Sequence, residues 1–207
     1  LGRLLDILCS SIGSLTNPKK LAATFKSVGR ITLTDATIKQ YIDYFEDAFM
    51  LNKAERYDVK GKRYISTPLK YYLSDVGLRN ARLNFRQIEE THLMENIIYN
   101  ELIYRGFGVD VGVVEVYERD GEGKQTRKQI EIDFVVNNGS NRYYIQSAFA
   151  LPDQEKIAQE ERPLKALDDS FKKIVIVKDD ILLRRNEDGI VTMGLRQFLT
   201  DPNSLDL

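Results

Sequence analysis

Apolar residues recur every three or four positions through the first fifty residues and then give way to short alternating or continuous runs. Leu4, Leu5, Leu8 and Ile12 share a helical spacing, which predicts a helix over 1–12. Asn17-Pro18 supplies an N-cap and a first-turn proline. Leu21, Phe25 and Val28 then give helix 18–28 an apolar stripe, and Gly29 ends it. Thr34 caps a third helix, 35–49, with Ile38, Ile42 and Phe45 on one face. Met50–Tyr57 and Arg63–Ser66 read as paired strands around the turn Asp58–Lys62. Tyr71–Leu78 reads as a short helix and turn. Three helices and a hairpin follow the order of a winged helix-turn-helix, and this module is expected to occupy 1–83.

The pattern in 84–207 is different. Leu93, Ile97, Ile98, Leu102 and Tyr104 fall on or beside one face of a helix over 87–105, which Gly106 stops. Strands are predicted over 109–118, 129–136 and 142–149, separated by a polar loop at 119–128 and a turn at Asn137–Asn141. Pro152 opens a charged helix to about 167. The continuous apolar run within Lys173–Val177 marks a buried strand. A short hairpin over 181–193 and a last helix, Leu195–Leu199, complete the chain. The fold class is therefore α/β, with α-β-β-β-α-β as the second module.

Composition removes several chemistries. One cysteine and one histidine exclude a disulfide within the chain and a zinc site of the usual Cys/His type. Cys9 fits a buried apolar position and His92 a helix surface. No run is long and apolar enough to span a membrane. The opening Leu-Gly-Arg-Leu-Leu-Asp has neither a basic leader nor an initiator Met, so a cytoplasmic chain that continues a longer protein is expected. Residues 1–83 carry 14 Lys/Arg against 8 Asp/Glu, and 84–207 carry 16 against 23. A basic front suggests affinity for duplex DNA. Lys60, Lys62 and Arg63 in the hairpin turn are candidate phosphate contacts, with Lys39 and Gln40 on the third helix. The acids Asp43, Glu46 and Asp47 oppose the latter, so protein packing by this module stays open beside DNA binding.

Alternation along Glu131-Ile132-Asp133-Phe134-Val135 puts Glu131 and Asp133 on one face and Ile132, Phe134 and Val136 on the other. Asp133 is expected across a hairpin from Gln146. Glu95 stands among apolar neighbours on the preceding helix. An acidic helix residue, a strand Asp and a third group on the next strand, in this element order, resemble the PD-(D/E)-x-K nuclease superfamily. Tyr71–Leu78, Met94–Leu102 and Glu131–Val135 together resemble the C-terminal region of a prokaryotic family of AAA-type ATPases, where a winged helix precedes a nuclease-like domain of unknown function. That resemblance implies Glu95 and Asp133 as retained metal-site acids. It also places the expected Glu-x-Lys where this chain has Gln146-Ser147-Ala148. An amide is a poor ligand for a hard dication, and Ala148 cannot replace a lysine. The implied function is a degenerate, non-catalytic region. The alternative is an active Mg-dependent nuclease with a migrated lysine, for which Lys128 is a candidate. No Gly-x-x-x-x-Gly-Lys-Ser/Thr loop occurs, so ATP and its Mg²⁺ would belong to an ATPase module N-terminal to this region, acting as its partner in cis.

Overall fold

The computed structural model describes residues 1–29, 32–86, 88–119, 121 and 123–207, apart from the side chains of 28 and 29. The chain divides into two compact units, Leu1–Arg56 with Ile65–Asn100, and Tyr57–Tyr64 with Glu101–Leu207. It is an α/β fold in which N-terminal helices are followed by a mixed eight-strand sheet with interspersed helices.

In the first unit, α1 (Gly2–Ser10), α2 (Pro18–Gly29) and α3 (Asp35–Asp47) precede β1 (Leu51–Asp58) and β2 (Arg63–Leu73). Thr34 caps α3, its side chain accepting from the Thr37 amide at 3.1 Å. Leu4, Leu8, Ile12, Leu21, Phe25, Ile38 and Ile42 share one core with Leu51 and Leu73. The helical stripes meet there, and Cys9 is fully buried. Val28, expected in the same stripe, has its side chain outside the described residues.

Tyr71–Leu73 departs from the short helix expected of it and instead ends β2, with α4 (Val76–Arg82) beginning later behind an Asp75 cap. The cause is distant in sequence. Thr16 and Leu69 exchange backbone hydrogen bonds at 2.8 and 2.9 Å, and the Gly13 amide donates to Tyr71 O at 3.2 Å. The extended segment before α2 thus satisfies backbone groups that would otherwise favour a helix.

Next comes α5 (Glu90–Tyr104); residue 87, where that helix was expected to begin, lies outside the described residues. Met94, Ile98, Tyr99 and Leu102 are buried, whereas Tyr104 is 87% exposed and does not join the expected apolar face. In the second unit β3 (Gly108–Arg119), β4 (Gln125–Asn138) and β5 (Asn141–Ala148) form an antiparallel run. The helix α6 (Gln154–Lys165) follows, capped by Asp153, and then β6 (Lys172–Val177) lies parallel to β5. Two short strands, β7 (Arg184–Arg185) and β8 (Val191–Gly194), precede α7 (Leu195–Thr200). The strands run in the order β2-β1-β3-β4-β5-β6-β8-β7. Residues 125–128, expected in a loop, pair with β3 as far as Arg119↔Gln125. That stretch is polar on both faces, so it carries no alternation to mark it as strand. Residues 120 and 122 of the expected loop lie outside the described residues.

No helix among the described residues is long and apolar enough to cross a membrane.

Candidate functional site

In the second unit, β4 and β5 bring Asp133 beside Gln146. The Asp133 amide faces Gln146 Oε1 at 3.4 Å, and Asp133 Oδ2 accepts from the Ser147 amide at 2.8 Å. Asp133 is only 9% exposed. Ala148 turns into the apolar core with Val135, Leu164 and Val177. The helix α6 extends the polar chain. Gln146 Nε2 lies 3.4 Å from Glu160 Oε2, and Lys156 Nζ pairs with Glu160 Oε1 at 2.5 Å. A carboxylate, an amide, a second carboxylate and an ammonium thus lie in sequence along β4, β5 and α6.

Lys156 and Glu160 were not foreseen. The i,i+4 spacing of a lysine and a glutamate reads as an ordinary solvated helix pair; only the approach of α6 to β5 gives it another neighbour. Lys128, the suggested migrated amine, pairs instead with Glu118 at 3.6 Å. It lies five strand residues from Asp133, roughly 17 Å along β4.

Glu95 belongs to the first unit and is held closely there. Its Oε1 accepts from Tyr72 OH at 2.6 Å and from Lys70 Nζ at 2.9 Å. The Lys70 side chain is 5% exposed and that of Glu95 13%. Gly13, at φ +68°, lies so near that a Cβ there would stand 3.0 Å from Glu95 Oε2. The next residue of α5, the buried Asn96, donates to Leu73 O at 2.8 Å and accepts from the Leu73 amide at 2.9 Å. Asn100 donates to the same carbonyl, and Tyr99 stacks on Tyr72 with ring centroids 4.2 Å apart. The segments Tyr71–Leu78 and Met94–Leu102 are therefore two sides of one joint between β2 and α5.

The residues present do not fit a hard divalent cation. Asp133 is joined by an amide rather than a second carboxylate, and Glu160 already holds Lys156. Among the described residues no group of three or more His, Cys, Asp or Glu side chains is placed to hold a metal ion.

The candidate DNA contacts separate in the same way. Lys60, Lys62 and Arg63 are exposed at the tip of the β1–β2 hairpin. The buried Asp58 organises that tip, accepting from the Gly61 amide at 2.9 Å and pairing with Arg63 at 3.4 Å. A Cβ on Gly61 would stand 2.3 Å from Asp58 Oδ2, so a side chain there would displace the Asp58 carboxylate from the turn. On α3, Gln40 donates to Tyr44 OH at 2.8 Å. Lys39 lines a cavity of about 340 Å³ with Asp43, Glu46 and Glu55, an acidic setting for a phosphate contact. His92 lies on α5, its Nε2 3.6 Å from Glu89.

A β-sheet with a helix-borne polar chain at Asp133 and a basic hairpin tip belongs to an α/β chain. Residues 1–89 match the model of a domain of unknown function, DUF8612, so the chain carries a DUF8612 domain. The chain is homologous to an uncharacterized protein of Haemophilus influenzae, 34% identical over 169 residues that make up 82% of this chain. It spans 38% of the length of that relative. Among solved structures, the crystal structure of protein VC1899 from Vibrio cholerae is similar to 96% of this chain and 53% of its own, with a TM-score of 0.36 at 13% identity. A likeness of that degree carries no functional argument.

Proposed function

We propose that this chain is a non-catalytic DNA-binding or regulatory region that works beside an ATPase module, with a winged helix in 1–83 and a nuclease-like fold in 84–207 that has lost its cleavage chemistry. One observation carries this reading. At the positions of the expected carboxylate and lysine, Gln146 is tied between Asp133 and Glu160 while Ala148 is buried in the core. Neither offers charge to a phosphodiester. The element order α5-β3-β4-β5-α6-β6 supports the fold assignment. The exposed Lys60, Lys62 and Arg63 support contact with duplex DNA. The greater length of the H. influenzae relative leaves room in that protein for an ATPase module.

Two measurements test the reading. With Mg²⁺ or Mn²⁺ and duplex or single-stranded DNA, no cleavage above background is expected; robust cleavage abolished by Asp133→Ala would overturn the non-catalytic assignment. In gel shifts, reversing charge at Lys60, Lys62 and Arg63 together is expected to weaken duplex binding at all sequences and flatten its salt dependence. Unchanged affinity would leave the regulatory role and remove the DNA-binding one. A second reading, an active nuclease with a migrated amine, is favoured by the placement of Lys156 and Glu160 next to Gln146. It requires metal-dependent cleavage that Lys156→Ala abolishes.

A further inference from the structure

We propose that the second unit carries a phosphate-binding cavity, bounded by Ser170, Phe171 and Lys172 at the start of β6 and by Arg185 on β7. The cavity encloses about 320 Å³, enough for a phosphate with an attached ring system. It lies outside both the Asp133 chain and the hairpin tip, so it does not rest on the function proposed above.

Cations outnumber carboxylates in the lining. Two carboxylates line the cavity, Asp169 and Asp188. Asp169 Oδ2 accepts from Tyr144 OH at 2.6 Å and Oδ1 from the Phe171 amide at 3.3 Å. Asp188 pairs with Lys165 at 2.8 Å. Lys173 also lines the cavity, but its ammonium is held by Leu167 O and Asp169 O. The cations that remain are Lys172, which donates to Leu207 O, and Arg185, which is exposed and forms no ion pair among the described residues. Burial and then the nearby Arg185 hold the Lys172 ammonium below its ordinary range, while Asp206 acts in the opposite direction. Lys172 and Arg185 repel one another even with Asp169 and Asp188 in the lining, and an anion bound between them relieves that repulsion. Arg185 brings the planar donor fork suited to phosphate oxygens, and Lys172 a point charge. Phe171, 39% exposed, supplies a flat apolar wall on which a base can stack. The shared chemistry is a phosphate group, carried either by a free nucleotide or by a nucleic-acid backbone.

The test is an NMR titration of the whole chain with inorganic phosphate, with a nucleoside monophosphate and with a short duplex, each against chloride at equal ionic strength. The amides of 169–172 and 185–189 are expected to shift with at least one phosphate probe and not with chloride. Arg185→Gln and Lys172→Gln should each weaken that binding about tenfold. Arg185→Gln should leave the melting temperature unchanged, because its side chain is exposed. A mononucleotide that binds better than phosphate alone identifies a free nucleotide as the source; a gain seen only with duplex identifies the backbone. Shifts absent with all three probes, or affinity unaltered in a folded Arg185→Gln variant, overturn the proposal.

Discussion

Glu95 and Asp133 were singled out in the sequence for the same reason, as acids among apolar neighbours, yet their surroundings are opposite. Glu95 meets an ammonium and a phenol within 2.9 Å, and Gly13 closes over it. Its charge is balanced and enclosed inside a joint that also pins Leu73 through Asn96. Asp133 meets a backbone amide and a neutral side-chain amide, and the next charges along the chain are those of Glu160 and Lys156. The first carboxylate is held as a structural part. The second accepts from the Ser147 amide beside the neutral side chain of Gln146. An acid in an apolar pattern therefore does not by itself indicate chemistry; the partner decides.

The largest effect should come from separating the enclosed pair. Glu95→Ala leaves Lys70 buried without its carboxylate and is expected to cost about 4 kcal/mol of unfolding free energy by denaturant titration. Asn96→Ala strands the amide of Leu73, whose carbonyl keeps its bond from Asn100, and should cost about 2 kcal/mol. If Glu95→Ala were instead neutral for stability while abolishing a metal-dependent activity, the contrast between the two acids would fail. Asp133→Ala, which removes one acceptor from the Ser147 amide, should cost less than either, about 1 kcal/mol. A Glu95→Ala cost smaller than the Asp133→Ala cost would reverse the ranking and the interpretation with it.

Much of this was legible in sequence, where local signals were strong. Thr34 and Asn17-Pro18 mark helix starts, with the Thr34 and Asn17 side chains bonding their own first turns, and the apolar run of β6 needs no distant partner to be recognised. The pairing of Asp133 with Gln146 followed from alternation and a short turn. The extension of β2 to Leu73 did not, because its hydrogen bonds come from Gly13–Thr16, more than fifty residues earlier. Nor did the arrival of Lys156 and Glu160 beside Gln146. A charged helix reads as solvated until its sheet neighbour is known. The role of Glu95 was hidden for the same reason: nothing local marks Lys70 and Tyr72 as its partners until β2 extends to Leu73 and lies against α5.

A third carboxylate sharpens the comparison by having neither kind of partner. Glu46 on α3 has its Oε1 buried without a hydrogen-bond partner among the described residues. Burial raises its pKa from the ordinary 4.5, Lys53 opposes the rise, and Asp43, Asp47 and Glu55 add to it. The folded chain therefore holds this proton to higher pH than the unfolded chain does. Its contribution to stability is fully present below the unfolded value and is lost as pH rises through the folded one. Glu46→Gln cannot ionise, so the variant should melt higher than the parent at neutral pH, and the difference should vanish well below pH 4.5. Melting curves of both proteins across that range decide it. A gain independent of pH would mean the amide had found new packing or a new partner. A loss at neutral pH would mean that the Glu46 charge is held in place, as that of Glu95 is, with the attraction to Lys53 outweighing the cost of burial.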